Sequence, residues 1–261
     1  MSLKRTTTIL PSWASRPERF LTALLLLCSL LPLRAQTTVT FPASDSLPVT
    51  ADLYKGKAGE PWLLLFHDEQ GSRGEYRSLA PRLVKMGYHC LAVDLRTGRE
   101  SNYVSNLTTR RADTLRPHPR PLDCLRDMEG AIRYAYENSH QPVVLLGSSF
   151  SASLALLQAT RDTLVRAVIA FSPGEFFRPF VTVRDSLQAV RVPVLIAGTK
   201  QEYPYLQELS SLIPASLLTL YTPVRYDGLH GVAALLPDDP ASGDYWLSLL
   251  MFFRKIRKTA P

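Results

Sequence analysis

Residues 142–157, P-V-V-L-L-G-S-S-F-S-A-S-L-A-L-L, constrain the chain more than any other stretch. An apolar run from Val143 to Leu146 stops at Gly147. After a turn of small residues, apolar side chains return at helical spacing in Leu154, Ala155 and Leu157. The pattern is strand, tight turn, helix. The turn Gly147-Ser148-Ser149-Phe150-Ser151 follows G-x-S-x-G except at its last position, where serine replaces glycine. In that motif a strained strand-to-helix turn presents a serine hydroxyl at the carboxyl edge of a sheet. Ser149 takes the nucleophile position. Small residues suit the turn because backbone packs there on backbone. The helix that starts at Ser149 directs its positive end at the point where an oxyanion forms. The plainer alternative is a serine-rich helix cap after a strand. Strand before and helix after favour the elbow.

The remaining elements supply a sheet around this turn. Residues 39–54 alternate on both sides of Ser44-Asp45-Ser46, which predicts an antiparallel hairpin. Residues 61–66 form a fully buried strand that runs into His67-Asp68-Glu69-Gln70-Gly71. Helical spacing covers 76–86, and Gly87 ends it. Residues 89–94 give another buried strand. Residues 95–121 are a polar, Arg- and Pro-rich excursion without clear periodicity. A helix follows at 124–136, with Met128, Ala131, Ile132 and Ala135 on one face. Beyond the elbow come strands at 165–171, 192–197 and 217–221, and helices at 205–213 and 244–257. Strands alternating with helices predict a mostly parallel sheet covered on both faces. Ligands then bind at the carboxyl ends of its strands.

A chain of 261 residues suffices for one domain with a sizeable core. Its beginning differs from the rest. Lys4, Arg5, Arg16 and Arg19 precede an apolar run at 20–33, and Arg34-Ala35-Gln36 opens a polar stretch. This is the layout of a secretory signal peptide over residues 1–35, cleaved after Ala35. The expected product is exported, periplasmic or secreted, from a bacterial source. An uncleaved anchor needs about 20 apolar residues, and the run here is shorter and interrupted by Pro32. No stable membrane span is expected after cleavage. A lipoprotein reading of Cys28 meets Leu27, where such signals need a small residue. Residues 1–35 hold a net charge of +4, which leaves +3 of the chain's +7 for residues 36–261. That modest, dispersed charge carries no basic stripe, so nucleic acid is not an expected partner. Cys90 in its apolar strand reads as core; a disulfide with Cys124 stays open at this level.

The loops that leave the strands carry polar groups in the order oxyanion-type loop, Ser149, an acid region, His230. Nucleophile, acid, base is the chain order of the α/β-hydrolase fold. The sequence resembles α/β-hydrolases over essentially all of residues 36–261. It is most similar to the small dienelactone hydrolase-like members in F-H-D-E-Q-G-S-R-G-E-Y and F-S-P-G-E-F-F. The resemblance implies a central sheet with an N-terminal antiparallel hairpin and no large cap domain. The named enzyme of that group uses cysteine at the elbow, where this chain has Ser149, so its substrate does not carry over.

A serine hydroxyl is a weak nucleophile at neutral pH and needs a base within hydrogen-bond reach. His230, in the glycine-flanked loop after the last strand, is the candidate; His67, His89, His118 and His140 lie elsewhere in chain order. The oxyanion hole is expected from the backbone N–H of Phe150 and one from Glu69, with Asp68 the alternative. The Glu69 side chain is expected to face solvent. In this fold the acid follows the strand that ends at Gly198. The usual spacing falls on Gln201, which cannot carry the required charge. Glu202 is next to it, with Glu175 and Asp227 as alternatives.

Asp94 and Arg96 at the end of a buried strand predict a structural ion pair. Arg73 and Arg96 are alternatively ligands for a substrate carboxylate. No H-E-x-x-H, C-x-x-C or phosphate-loop pattern occurs, so neither metal nor cofactor is expected. The partner expected is a small-molecule acyl substrate. The residues 95–121 and the Phe176, Phe177 and Phe180 cluster are expected to wall an open mouth. The expected activity is a serine hydrolase acting on an ester or related acyl bond. A peptidase or thioesterase would use the same groups, and a non-catalytic binding protein on this fold is the rival from another class.

Overall fold

A computed structural model describes residues 36–115 and 117–258. The signal peptide expected over residues 1–35 therefore lies outside the described residues, as does Cys28.

Ten strands are present among the described residues. β1 (Thr37–Pro42) and β2 (Pro48–Tyr54) form the expected antiparallel hairpin. They are followed by β3 (Trp62–Phe66), β4 (His89–Val93), β5 (Glu100–Ser101), β6 (Val104–Ser105) and β7 (Val143–Ser148). β8 (Val165–Phe171), β9 (Val194–Ala197) and β10 (Leu218–Tyr221) complete the set. The main sheet has the order β1-β2-β4-β3-β7-β8-β9-β10. β2 runs antiparallel to β4, and every pair from β4 through to β10 is parallel. This is the α/β architecture expected of an α/β-hydrolase.

The sheet is coated on both faces because its strands alternate between two cores. Leu64, Phe66, Leu91, Val93 and Leu145 point into one core. There they meet α3 (Cys124–Ser139) and α4 (Phe150–Ala159). Leu63, Leu65, Cys90, Ala92, Val144 and Leu146 point into the other. They meet α1 (Ala80–Lys85) and the C-terminal α7 (Ser242–Lys258). Each residue of α4 is buried, and its two serines, Ser151 and Ser153, donate to the carbonyl oxygens of Phe66 and Gly174. Cys90 and Cys124 are free and sit in the two different cores, so the disulfide left open above does not form.

The chain moves from β3 to β4 on one side and then returns to β7 on the other side of β3. That reversal makes the carboxyl edge between β3 and β7 a topological switch point, where ligands bind in open α/β sheets. The loop after β3 and the turn after β7 are therefore brought side by side.

Three local expectations change. The helix expected over 76–86 is broken: residues Arg73–Tyr76 make one 3-10 turn, and α1 starts at Ala80. Pro81 lacks an N–H and is tolerated only in a first turn, which places the helix start just before it. The excursion at 95–121, without clear periodicity in the sequence, holds the β5–β6 hairpin and α2 (Leu107–Ala112). Between β8 and β9 lies only the short α5 (Val183–Ser186) with a following 3-10 turn, and no large cap. The helix expected over 205–213 is α6 (Tyr203–Leu209), which starts two residues earlier and ends four residues earlier.

The expected Asp94–Arg96 pair is exchanged for three other pairs. Asp94 binds Arg73 at 2.6 Å, and Arg96 binds Asp127 of α3 and Asp45 of the first hairpin, each at 2.7 Å. Both arginines are buried and committed, so the substrate-carboxylate alternative is overturned. Arg96 thus ties the hairpin to α3 beneath the loop after β4. Breaking such a buried pair costs more than the pair contributes, because it leaves a desolvated charge. Asp127→Ala is expected to lower the unfolding free energy by about 3 kcal/mol, read as a shift in the urea midpoint. Asp127→Leu combined with Arg96→Met should recover much of that loss.

Candidate active site

The turn after β7 is strained where function would need it. Ser149 has φ +52° and ψ −111°, a left-handed conformation that costs a non-glycine residue about 1–3 kcal/mol. Its neighbours hold it there. Its N–H donates to Phe171 O at 2.8 Å, at the end of β8. A Cβ on Gly147 would come within 2.4 Å of Ser151 O, so the close backbone crossing requires glycine. Ser151, where the motif has glycine, is fully buried and accepts the Ser148 N–H at 3.0 Å. Its hydroxyl donates to Phe66 O at 2.6 Å and so pins the elbow to β3.

Ser149, His230 and Glu202 come together from three separate loops. Ser149 Oγ lies 2.8 Å from His230 Nε2, and His230 Nδ1 lies 2.6 Å from Glu202 Oε1. Glu202 sits at the start of α6, where the absence of a side chain on Gly198 makes room for it; a Cβ there would meet Glu202 Oε2 at 2.7 Å. That second oxygen accepts the Thr199 N–H and the Ser172 hydroxyl, both at 2.8 Å. Burial alone would raise the Glu202 carboxyl. Hydrogen bonds from His230, the Thr199 amide and Ser172 outweigh it and hold the group below the usual glutamate value. The Glu202 hydrogen bond raises His230 above an ordinary imidazole, against the opposing pull of burial.

The other acid candidates do not bond His230, whose two ring nitrogens meet Glu202 and Ser149. Glu175 accepts the backbone N–H groups of Val183 and Arg184 at 2.8 and 2.9 Å and caps α5. Asp227 is exposed, and its carbonyl accepts the Lys200 N–H at 2.7 Å. Gln201, at the usual acid spacing, is exposed in the turn before α6.

The two backbone donors expected to line an oxyanion hole converge on one point. Glu69 N–H and Phe150 N–H both donate to Asp68 Oδ1, at 2.7 and 3.3 Å. The Asp68 N–H, the alternative donor, is taken by Glu75 Oε2 at 2.8 Å. The Glu69 side chain faces solvent, as expected. The loop is held from beneath by His67, which is fully buried. Its Nε2 accepts the Leu95 N–H at 2.9 Å, which assigns the proton to Nδ1, and Nδ1 donates to Asp68 O at 2.6 Å. Burial lowers the His67 pKa and keeps this tautomer neutral.

Two cavities lie along this edge. One of about 250 Å³ is lined by Phe176, Phe177, Phe180, Leu122, Arg120 and Arg178, so the aromatic cluster does meet the end of the 95–121 excursion. Phe177 is buried against the Phe150 ring at 5.4 Å between centroids, while Phe180 is 77% exposed. The other, about 410 Å³, is an acidic crevice bordered by Asp68, Glu75, Glu100 and Val232. A larger groove of about 1000 Å³ between β10 and α7 contains none of these groups.

Sequence reasoning passed over Ser172, Ser148 and Glu75. Ser172 has φ +51°, orients Glu202, and accepts the Gly231 N–H at 3.0 Å. Ser148 Oγ accepts the Val232 N–H at 3.2 Å and donates to Glu75 Oε1 at 2.9 Å. Burial pushes the Glu75 carboxyl up to about 7. For Ser172, its place immediately after a buried strand was the available signal; Ser148 fills a variable position of the elbow pattern, which assigns it no role, and Glu75 belongs to no catalytic motif.

No curated protein matches the chain significantly in sequence. Solved structures show the same fold at low identity. A dienelactone hydrolase of Anabaena variabilis is 19% identical with a TM-score of 0.62, over 85% of this chain and 97% of that one. An esterase of Pyrococcus furiosus is 13% identical with a TM-score of 0.62, over 85% and 91%. A Pyrobaculum calidifontis esterase is 15% identical with a TM-score of 0.60, over 92% of each. The profile of the Dienelactone hydrolase family matches residues 49–214, from β2 to just before β10. The chain belongs to the dienelactone hydrolase family.

Proposed function

We propose that the protein is a serine hydrolase that cleaves an ester through Ser149, His230 and Glu202. The observation that carries this reading is the pair of bonds from Ser149 Oγ to His230 Nε2 and from His230 Nδ1 to Glu202 Oε1, at 2.8 and 2.6 Å. A family of hydrolases and a fold shared with esterases support the same chemistry.

In the proposed reaction Ser149 Oγ attacks the ester carbonyl carbon while its proton passes to His230 Nε2. Glu202 keeps the Nδ1 proton in place and stabilises the imidazolium. The carbonyl oxygen becomes an oxyanion that accepts the N–H groups of Phe150 and Glu69. The tetrahedral intermediate collapses, the ester C–O bond breaks, and the alkoxide leaves with the proton from His230. Water then repeats the sequence on the acyl-serine, with His230 as base, and releases the acid and free Ser149. The apolar cavity beside Phe150 suits a hydrophobic substituent of the substrate.

The Asp68 carboxylate stands where the oxyanion would form, and the substrate oxygen competes with it for the same two donors. Asp68→Ala is expected to raise kcat/KM on a neutral p-nitrophenyl ester about 3- to 10-fold, because a larger fraction of molecules has the hole free. An unchanged or lower value would show that Asp68 does not block the hole.

The pH dependence follows from the raised His230. The base must be neutral, so kcat/KM rises with pH through the imidazole pKa, and that limb lies above the ordinary histidine value. Glu202→Gln removes the charge that raises it. The limb should move to lower pH, and kcat should fall about 10²- to 10⁴-fold. A limb that stays in place would count against Glu202 as the partner of His230.

The direct test is labelling of the folded protein by a fluorophosphonate probe beside Ser149→Ala. Labelling that vanishes in the variant is the expected result. Absence of labelling in the wild type would overturn the serine mechanism.

A further inference from the structure

Glu75 touches none of the reacting groups, yet it joins the three loops that carry them. It lies on the 3-10 turn after the oxyanion loop, at the edge of the acidic crevice. Oε2 accepts the Asp68 N–H at 2.8 Å, one residue before the Glu69 N–H that faces the hole. Oε1 accepts the hydroxyl of Ser148, the residue before the nucleophile, at 2.9 Å. The same hydroxyl accepts the Val232 N–H at 3.2 Å, two residues after His230. Gly231 between them has φ +64°, and a Cβ there would come within 2.7 Å of Ser148 Oγ, so the histidine loop is seated directly on that hydroxyl.

We propose that Glu75 is a positioning residue that holds the oxyanion loop, the elbow and the histidine loop in register for catalysis, a role that rests on the serine-hydrolase reading above. The chemistry of the site calls for a carboxylate. Two donors, an amide N–H and a hydroxyl, approach two different oxygens, and an ionised carboxylate is acceptor on both sides. A glutamine offers one acceptor and turns a donor toward the other partner. An alanine leaves both donors without a protein partner at the crevice edge. The Asp68 N–H cannot serve as a hole donor while Glu75 holds it, so the bond also selects Glu69 as the donor. Since the hole is used most in the transition state, loosening it should lower kcat while KM changes little.

The test compares Glu75→Ala and Glu75→Gln with wild type and Ser149→Ala on a p-nitrophenyl ester, at about pH 8.5 so that the carboxylate is ionised. Glu75→Ala should lose about 10²- to 10³-fold in kcat, the scale of one oxyanion donor, with KM within about threefold. Glu75→Gln, which can keep the Asp68 bond, should stay within about tenfold of wild type. Amide hydrogen exchange reads the ties without turnover. In Glu75→Ala the amides of Asp68, Glu69 and Val232 should exchange faster, while those of β3 and β7 keep their protection and report an intact fold. A wild type without esterase activity refutes the hydrolase reading, and exchange then decides the positioning role alone. Unchanged exchange at Asp68 and Val232 overturns the proposal, as does a wild-type kcat in Glu75→Ala. Should Glu75→Ala lose the protection of β3 and β7, Glu75→Gln decides by the same exchange readout at Val232. Faster exchange there, with β3 and β7 protected, supports the tie through Ser148, and an unchanged rate overturns it.

Discussion

The left-handed backbone of Ser149 is the constraint on which the site depends. A serine in that conformation reverts to an ordinary turn unless its surroundings fix it from several sides. Here the fixing groups come from distant parts of the sequence. Phe171 O at the end of β8 takes its N–H, and Ser151 ties the turn to Phe66 at the end of β3. The absent side chain of Gly147 lets β7 and α4 approach each other. Those anchors exist because β7 lies between β3 and β8 in a parallel sheet. The strain at one residue is thus supported by the whole sheet, and the hydroxyl is delivered at the switch point where two loops meet.

Electrostatics in this site are built from hydrogen-bond donors rather than from cations. The nearby arginines, Arg73 and Arg96, are turned inward to hold Asp94, Asp127 and Asp45. Around the Ser149 and His230 side chains lies a set of backbone N–H groups facing carboxylates: Glu69 and Phe150 on Asp68, Asp68 on Glu75, Thr199 on Glu202. In the proposed reaction, an oxygen that develops negative charge would fit the same donors that Asp68 holds. The donors are preorganised, and their present acceptor shows where they point.

Much of this was legible in the sequence, for identifiable reasons. The sheet could be read because its strands are short apolar runs bounded by turn residues, and the helices that cover it have periodic apolar faces. Ser149, His230 and Glu202 stood out as candidates because each follows a strand and their chain order is restrictive. The hairpin at β5–β6 was not legible: two-residue strands carry no periodicity, and its turn residues Asn102 and Tyr103 are left-handed without a glycine to signal it. The break before α1 rested on Pro81, whose effect depends on which turn of a helix it occupies. The exchanged ion pairs were hidden because Asp127 and Asp45 are brought to Arg96 by tertiary folding. Glu75, Ser148 and Ser172 act through other residues, and a network of that kind leaves no fixed spacing.

Two departures from the expected pattern show why spacing is a proxy for geometry. Ser151 replaces the last glycine of the elbow, which reads as a weakened motif. In the fold that position has room for one small side chain, and the hydroxyl makes the bonds that fasten the elbow to β3. The carboxylate that meets His230 likewise comes one residue after the usual acid position. Gln201 turns outward, and Glu202 at the head of α6 folds back over Gly198 to reach His230. The Thr199 amide and the Ser172 hydroxyl then fix the carboxylate from the side away from the histidine. A shift of one residue in sequence is absorbed by a turn whose glycine leaves space for it. What the chemistry requires is a carboxylate oxygen at hydrogen-bond distance from Nδ1, and the local backbone decides which residue supplies it.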